Sequence, residues 1–236
     1  MRNYFVFDGN DSRNYGVYIS GEGTYNAPAH VYNAIKVPGR NGDLLIDRGN
    51  YSNIALIYPA FIGTGFDANM TDLRNMLLSA KGYCRLTDTY HPDEFRLAYF
   101  EGGIDVEARA QNDAGQFELE FMCKPQRFLL TGETEITITS STDSIVNPTL
   151  FTSKPLIRVT GYGTLTIGSD VITIANTYNY VDIDSELQDC YHGTDNANSQ
   201  VTFQSNNFPV FNPGTTNIAI SNTITNLKII PRWFIL

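Results

Sequence analysis

Three histidines, His30, His91 and His192, and three cysteines, Cys84, Cys123 and Cys190, are the side chains of this sequence best suited to nucleophilic, redox or metal chemistry. No histidine has a second His, a Cys or a paired acid close by at ligand spacing, so isolated polar side chains are expected rather than a metal centre. The cysteines are far apart and form no CxxC pair. Neither a zinc site nor a disulfide framework is indicated, and buried free thiols are the expectation. The run Asp182-Ile183-Asp184-Ser185-Glu186 with Asp189 collects oxygen ligands, yet it lacks the Gly turn and the full spacing of a calcium loop. It reads as a strand edge with solvated acids, with calcium the lesser alternative.

Glu118 and Glu120 are an acid pair at period two, the spacing of a solvent face on a strand. Glycosidase acids usually come from separate segments, so this pair gives such chemistry no positive support. Gly161-Tyr162-Gly163-Thr164 lacks the third glycine and following helix of a dinucleotide site and reads as a β turn. A serine nucleophile elbow is absent, as is a local Cys–His signature. The sequence therefore predicts no catalytic residue, no metal and no cofactor. Two non-catalytic candidates remain. Gly39, Arg40, Asn41, Gly42 and Asp43 form a polar loop suited to a subunit contact, and Tyr178, Tyr180 and Trp233 could stack on the apolar side of a sugar ring. For Trp233 the expectation is mainly a core role, since it lies between Ile230 and Phe234 where the chain end must be tied down.

The elements that must hold these residues are mostly strands. Tyr4-Phe5-Val6-Phe7 runs into the turn-forming Asp8-Gly9-Asn10-Asp11, and a second strand follows at Gly16 to Ile19. Ile35 to Ile46 has apolar flanks around Pro38-Gly39 and Asn41-Gly42, which predicts a hairpin with a long loop. Asn53 to Ile62 is a strand that Pro59 should make an edge or a bulge. One helix is predicted from about 69 to 81, with Met70, Leu73, Leu77 and Ala80 on one face, Asp67 or Asn69 as cap, and Gly82 as stop. Ile104, Val106 and Ala108 alternate with Asp105, Glu107 and Arg109, and Phe117, Leu119, Phe121 and Cys123 alternate with Glu118, Glu120 and Met122. These are half-buried strands joined by a loop at 111–115.

After Phe128 the texture shifts to Thr, Ser, Asn and Ile in short segments divided by Gly and Asn. This is the pattern of a sandwich, with no convincing helix. A boundary near residue 130 divides the chain into 1–130 and 131–236. Strands are expected at 134–138, 153–159, 164–167, 171–174, 178–183, 199–203, 216–221 and 227–231.

Composition narrows the function classes. Twenty-five Asp and Glu against 16 Lys and Arg give a net charge of −9, which repels nucleic-acid backbone and anionic lipid and argues against sequence-specific DNA binding. The N-terminal residues lack the apolar stretch of a signal peptide, and the longest apolar run, near Ile54 to Ile62, is too short to span a bilayer. A chain made in the cytoplasm, without membrane insertion, is expected.

Certain residues, taken in order, resemble a known family. They are Val37-Pro38-Gly39-Arg40-Asn41-Gly42-Asp43-Leu44-Leu45, Tyr51-Ser52-Asn53, Lys81-Gly82-Tyr83, Phe95-Arg96-Leu97-Ala98-Tyr99 and Phe121-Met122-Cys123-Lys124-Pro125-Gln126-Arg127-Phe128. In the second half they are Asn147-Pro148-Thr149, Pro155-Leu156-Ile157, Gly161-Tyr162-Gly163, Asp184-Ser185-Glu186, Phe208-Pro209 and Pro231-Arg232-Trp233. This succession resembles the distal tail proteins of long non-contractile-tailed phages and prophages. The resemblance implies a mainly β, two-domain fold: an N-terminal β-sandwich or split-barrel domain with one α-helix, related to the tail-tube fold, and a C-terminal galectin-like or carbohydrate-module-like β-sandwich projecting outward.

It also implies a structural virion component of the tail tip. That component would be a homo-hexameric ring in the baseplate hub, between the tail tube protein and the tail-associated fibre or lysin hub, with receptor-binding protein held by the outer domain. No catalytic residues come with it. A host-surface glycan-binding module is the alternative reading, and a cell-wall hydrolase a distant third. Each makes its own demand: a ring needs a self-associating surface, a binder exposed aromatics with polar neighbours, and a hydrolase two convergent acids.

Overall fold

The computed structural model describes residues 2–20, 26–104, 106–109 and 113–236. The mainly β architecture with one α-helix expected from the sequence is the one observed. The chain divides into two compact units, one running through Arg127 and the other Phe128–Ile235.

The first unit contains β1 (Phe5–Phe7), β2 (Asn10–Asp11), β3 (Val17–Ile19), β4 (His30–Ile35), β5 (Leu44–Tyr51) and β6 (Ile54–Ile62). After the helix α1 (Phe66–Ser79) come β7 (Cys84–Asp88), β8 (Glu94–Phe100), β9 (Val106–Arg109) and the long β10 (Ala114–Leu129), whose last two residues belong to the second unit. Asp8 and Gly9 take positive φ of 49° and 77°, the left-handed turn that the Asp-Gly pair favours, and β1 folds back on β2. The main sheet runs β2-β1-β7-β8-β10-β6-β3, with β9 paired to β10.

Alternation decides its two faces. Ile54, Leu56, Tyr58, Ala60 and Ile62 on β6 and Phe117, Leu119, Phe121 and Cys123 on β10 are buried, and all but Ile54 join one core cluster with Phe66, Met70, Leu73, Met76 and Leu77 of the helix. Asp105 and residues 110–112 lie outside the described residues, as do the side chains of Val106 to Arg109, although the β9–β10 ladder on either side of the loop is present.

Two local expectations need correction. The helix begins at Phe66, not near Asn69, because its cap comes from elsewhere: the Asp113 carboxylate accepts from the Gly65 and Phe66 N–H groups at 2.7 and 3.0 Å. A carboxylate at the positive end of the helix dipole serves as a local N-cap would. Pro59 makes no bulge, since β6 and β10 pair without a break from Ile54–Cys123 to Ile62–Gly115. The carbonyl of Pro59 accepts from the Ser20 N–H at 2.8 Å, so its missing donor falls on the β3 side, one residue past the end of that strand. On that side alone β6 is locally an edge, as a strand proline requires.

The second unit holds β11 (Ile136–Ile138), β12 (Thr142–Asn147), β13 (Leu156–Gly161), β14 (Gly163–Ile167), β15 (Asp170–Ile174), β16 (Tyr180–Asp184), β17 (Asp189–His192), β18 (Asp195–Asn196), β19 (Val201–Phe203), β20 (Gly214–Ile220), β21 (Ile224–Ile230) and β22 (Phe234–Ile235). All but β22 form a six-stranded sheet, β11-β21-β13-β16-β17-β18, and a five-stranded one, β12-β20-β14-β15-β19. Ile157, Val159, Val181, Ile183, Leu227 and Ile229 of the first meet Leu165, Ile167, Ile172, Ile174, Ile218 and Ile220 of the second in a single core.

Gly161 and Gly163, at φ 101° and 119°, make the corner by which the chain leaves one sheet for the other. A Cβ on Gly161 would strike the Thr223 carbonyl, so this is a packed crossing and not a free turn. The unit closes on its own ends: Leu129 N–H donates to Trp233 O at 2.9 Å and Arg232 N–H to Gly132 O at 2.8 Å.

Candidate functional site

β4 and β5 form a sheet of their own, separate from the main sheet of the unit. Asn33 stands opposite Ile46, Ala34 opposite Leu45, and Ile35 opposite Leu44. The turn between them uses Gly39 and Gly42 at φ 80° and 79°, values that favour glycine, and Arg40 N–H donates to Val37 O at 3.2 Å. At the base, the His30 ring stacks on Tyr32 at 4.6 Å and meets Tyr51 edge-on at 4.5 Å. His30 Nδ1 lies 3.3 Å from an Asp47 carboxylate oxygen, and Ser52 N–H donates to Ala29 O. These contacts fix a stiff root.

Beyond that root every residue from Tyr32 to Asn50 is exposed. Tyr32, Ile35, Val37, Leu44, Leu45 and Ile46 are among the most exposed large apolar side chains, with Leu45 at 59%. None of them belongs to either core cluster. Gly39, Arg40, Asn41, Gly42 and Asp43 therefore sit together at the tip of an arm whose stem is apolar on both faces. The signal was present in the sequence as Leu44-Leu45-Ile46: three consecutive apolar residues on a strand cannot all face one core, so at least one face needs another partner.

The aromatic candidates separate. Trp233 is 4% exposed and packs on Phe211 at 5.7 Å, inside the sandwich core. It presents no face to a ligand. Tyr178 and Tyr180 are half-buried and meet at His192, which stacks on Tyr178 at 4.6 Å and lies 4.3 Å from Tyr180. His192 Nδ1 is 3.0 Å from the Tyr180 carbonyl oxygen, and the Arg158 guanidinium covers the Tyr180 ring at 4.5 Å. Much of the flat surface these rings could offer is already spent on one another.

The acids of β16 are not a solvated strand edge. Asp182 and Asp184 are each 3% exposed on a strand flanked by β13 and β17. Arg158 donates to both oxygens of Asp182 at 2.7 and 2.8 Å, and Arg232 donates to both oxygens of Asp184 at the same distances. Asp184 Oδ1 also accepts from the Glu186 and Leu187 N–H groups. Burial pushes the Asp184 carboxyl up, but the Arg232 hydrogen bonds and the backbone donors outweigh it and hold the group below its ordinary value. Paired in this way, the two acids are neutralised by arginines of their own unit.

Nor do the remaining candidates converge. Cys123 and Cys190 are buried free thiols pushed up to about 12 by desolvation, far from reactive thiolates. His91 Nδ1 lies 3.5 Å from Asp88, whose carboxylate is already engaged by the Tyr58 hydroxyl at 2.6 Å. Among the described residues no group of three or more His, Cys, Asp or Glu side chains could hold a metal ion, and no helix is long and apolar enough to cross a membrane. The most distinctive functional feature is thus a surface, the exposed β4–β5 arm.

No family model matches the sequence, and no curated protein matches it. The fold does have a relative. The crystal structure of SPP1 Dit, described as a paradigm of the hub adsorption apparatus in phages infecting Gram-positive bacteria, superposes with a TM-score of 0.73. The match covers 97% of this chain and 98% of that one, at 13% sequence identity. Both units therefore share the fold of that hub protein from end to end.

Proposed function

We propose that the protein is a structural component of a phage tail tip, a distal tail protein whose first unit assembles into a hexameric hub ring. The observation that carries this reading is the end-to-end fold match to SPP1 Dit, which takes in both units rather than one common sandwich. The ordered motifs from Val37 to Trp233 support it independently. In this reading the ring joins the tail tube to the tail-associated fibre or lysin hub, the second unit anchors receptor-binding components, and the Gly39–Asp43 loop reaches a neighbouring subunit. The chain performs no catalysis and works in the virion as a conduit and anchor.

The burial of Trp233 removes the largest ring from the glycan-platform alternative, and the mutual stacking of Tyr178, Tyr180 and His192 weakens what is left of it. Solution mass tests the ring directly. Six copies of a 26.3 kDa chain give about 158 kDa, which light scattering coupled to size exclusion distinguishes from one chain. A 26.3 kDa species across the accessible concentration range, with no rings by electron microscopy, would overturn the proposal.

A further inference from the structure

The β4–β5 arm poses a stability problem that its own chain does not solve. An isolated two-stranded hairpin is marginal in water, because it buries too little apolar surface to offset the ordering of its backbone. Here one face of the arm carries Ile35 with Leu44, and Asn33 with Ile46; the other carries Tyr32, Ala34 and Leu45. Strands of 6 and 8 residues with their connecting turn approach the ~20 to 30 residues that one side of a standard protein interface uses. So large a surface, apolar on both faces, is a docking element.

Charge indicates what covers it. Lys36, Arg40 and Arg48 outnumber Asp43 and Asp47, so the arm is net positive in a chain whose total is −9. The rest of the same chain is correspondingly acidic. The outer face of the main sheet joins acids to apolar surface: the exposed Ile57 stands opposite Glu120 and the exposed Pro59 opposite Glu118, with Leu97, Tyr99 and Met122 half-buried on neighbouring strands.

We infer that the arm of one copy lies across this face of the next copy, its Ile35, Leu44 and Ile46 side against Ile57, and Arg40 of its tip toward Glu118 and Glu120. The inference rests on the ring reading and deepens it by naming both halves of the contact. Because donor and acceptor are different surfaces of one chain, the contact is head-to-tail, the kind that closes into a ring when the rotation allows.

Two variants and their mixture test this. An arm variant carries Leu44→Ser with Ile46→Ser, and a face variant carries Ile57→Asp with Glu120→Lys; these side chains are exposed, and a cooperative melting transition with wild-type circular dichroism confirms that both variants fold. The wild type should sediment near 158 kDa and each variant alone at 26.3 kDa. Their mixture should yield a pair near 53 kDa, twice the chain mass, because one intact arm meets one intact face and growth then stops. A wild-type ring that survives both variants would overturn the arm contact alone and assign the arm to another tail component. Variants that fall apart but never pair when mixed would overturn the named acceptor face. A wild type that remains monomeric would overturn the ring reading and this contact together.

Discussion

The arm strand Leu44–Tyr51 and the sandwich strand Tyr180–Asp184 invert the usual rule of burial. In the first, Leu44, Leu45 and Ile46 are all exposed; in the second, Asp182 and Asp184 are buried as deeply as many core side chains. Both strands have sound local reasons to be strands. What differs is the neighbourhood: β16 has hydrogen-bonded strands on both sides and two arginines placed to pair its acids, whereas β5 has only β4. Position in the sheet, and not residue type, settles which side chains leave water, and the penalty of a misplaced type is relieved by a specific partner. For Asp182 and Asp184 that partner lies within the chain. The leucines of the arm belong to neither core cluster of the chain.

The difference can be broken most forcefully on the buried side. Asp184→Ala leaves Arg232 without its carboxylate and the Glu186 and Leu187 N–H groups without their acceptor. Loss of a buried pair costs about 3 to 5 kcal/mol, and the partial exposure of Arg232 places this case toward the lower end. Urea unfolding of the variant should show that loss in the transition of the second unit. A change under 1 kcal/mol would mean the pair is no better than a surface one.

A smaller effect should follow from acid. The folded-state pKa of Asp184 is depressed below its ordinary value of 3.8, so the stability from its pairing is fully present above that value. It is lost as pH falls through the depressed folded value. Melting temperature of the second unit should be insensitive to this group at neutral pH and fall below about pH 4. Asp184→Asn should flatten that part of the profile, and an equally steep decline in the variant would assign the acid sensitivity to other carboxylates.

The smallest expected effect sharpens the comparison from the exposed side. Leu45→Ser removes a large apolar side chain that its own chain barely buries, so it should change the unfolding free energy of the unassembled chain by no more than about 0.5 kcal/mol. A core Leu→Ser would cost several times that. A large loss at Leu45 would show that the arm is packed within its own subunit.

The strands with clean alternation were legible because their pattern is the fold: β6 and β10 bury every second residue, as their apolar spacing predicts. The helix was legible for the same reason, but its first turn was not. The group that caps it, Asp113, lies 47 residues further along the chain from Phe66, and no local spacing announces such a partner. Short elements without a strong period, such as β12 and β17, also went unread, since their strand character comes from pairing with β20 and β16.

Of the candidate site, the hairpin and its Gly-containing tip could be read from Pro38-Gly39 and Asn41-Gly42, because those dipeptides demand a turn whatever surrounds them. Its standing as a free arm could not, because exposure is a property of what is missing around a strand. The acids of β16 misled for the converse reason. Arg158 and Arg232 lie 24 and 48 residues from the carboxylates they pair, and only the folding of β13 and the chain end onto that strand brings them within 2.7 Å. By itself the sequence determined the β class, the single helix and the hairpin turns. Tertiary structure alone decided which apolar residues stay in water and which charged ones leave it, since burial depends on contacts between segments that no local pattern encodes.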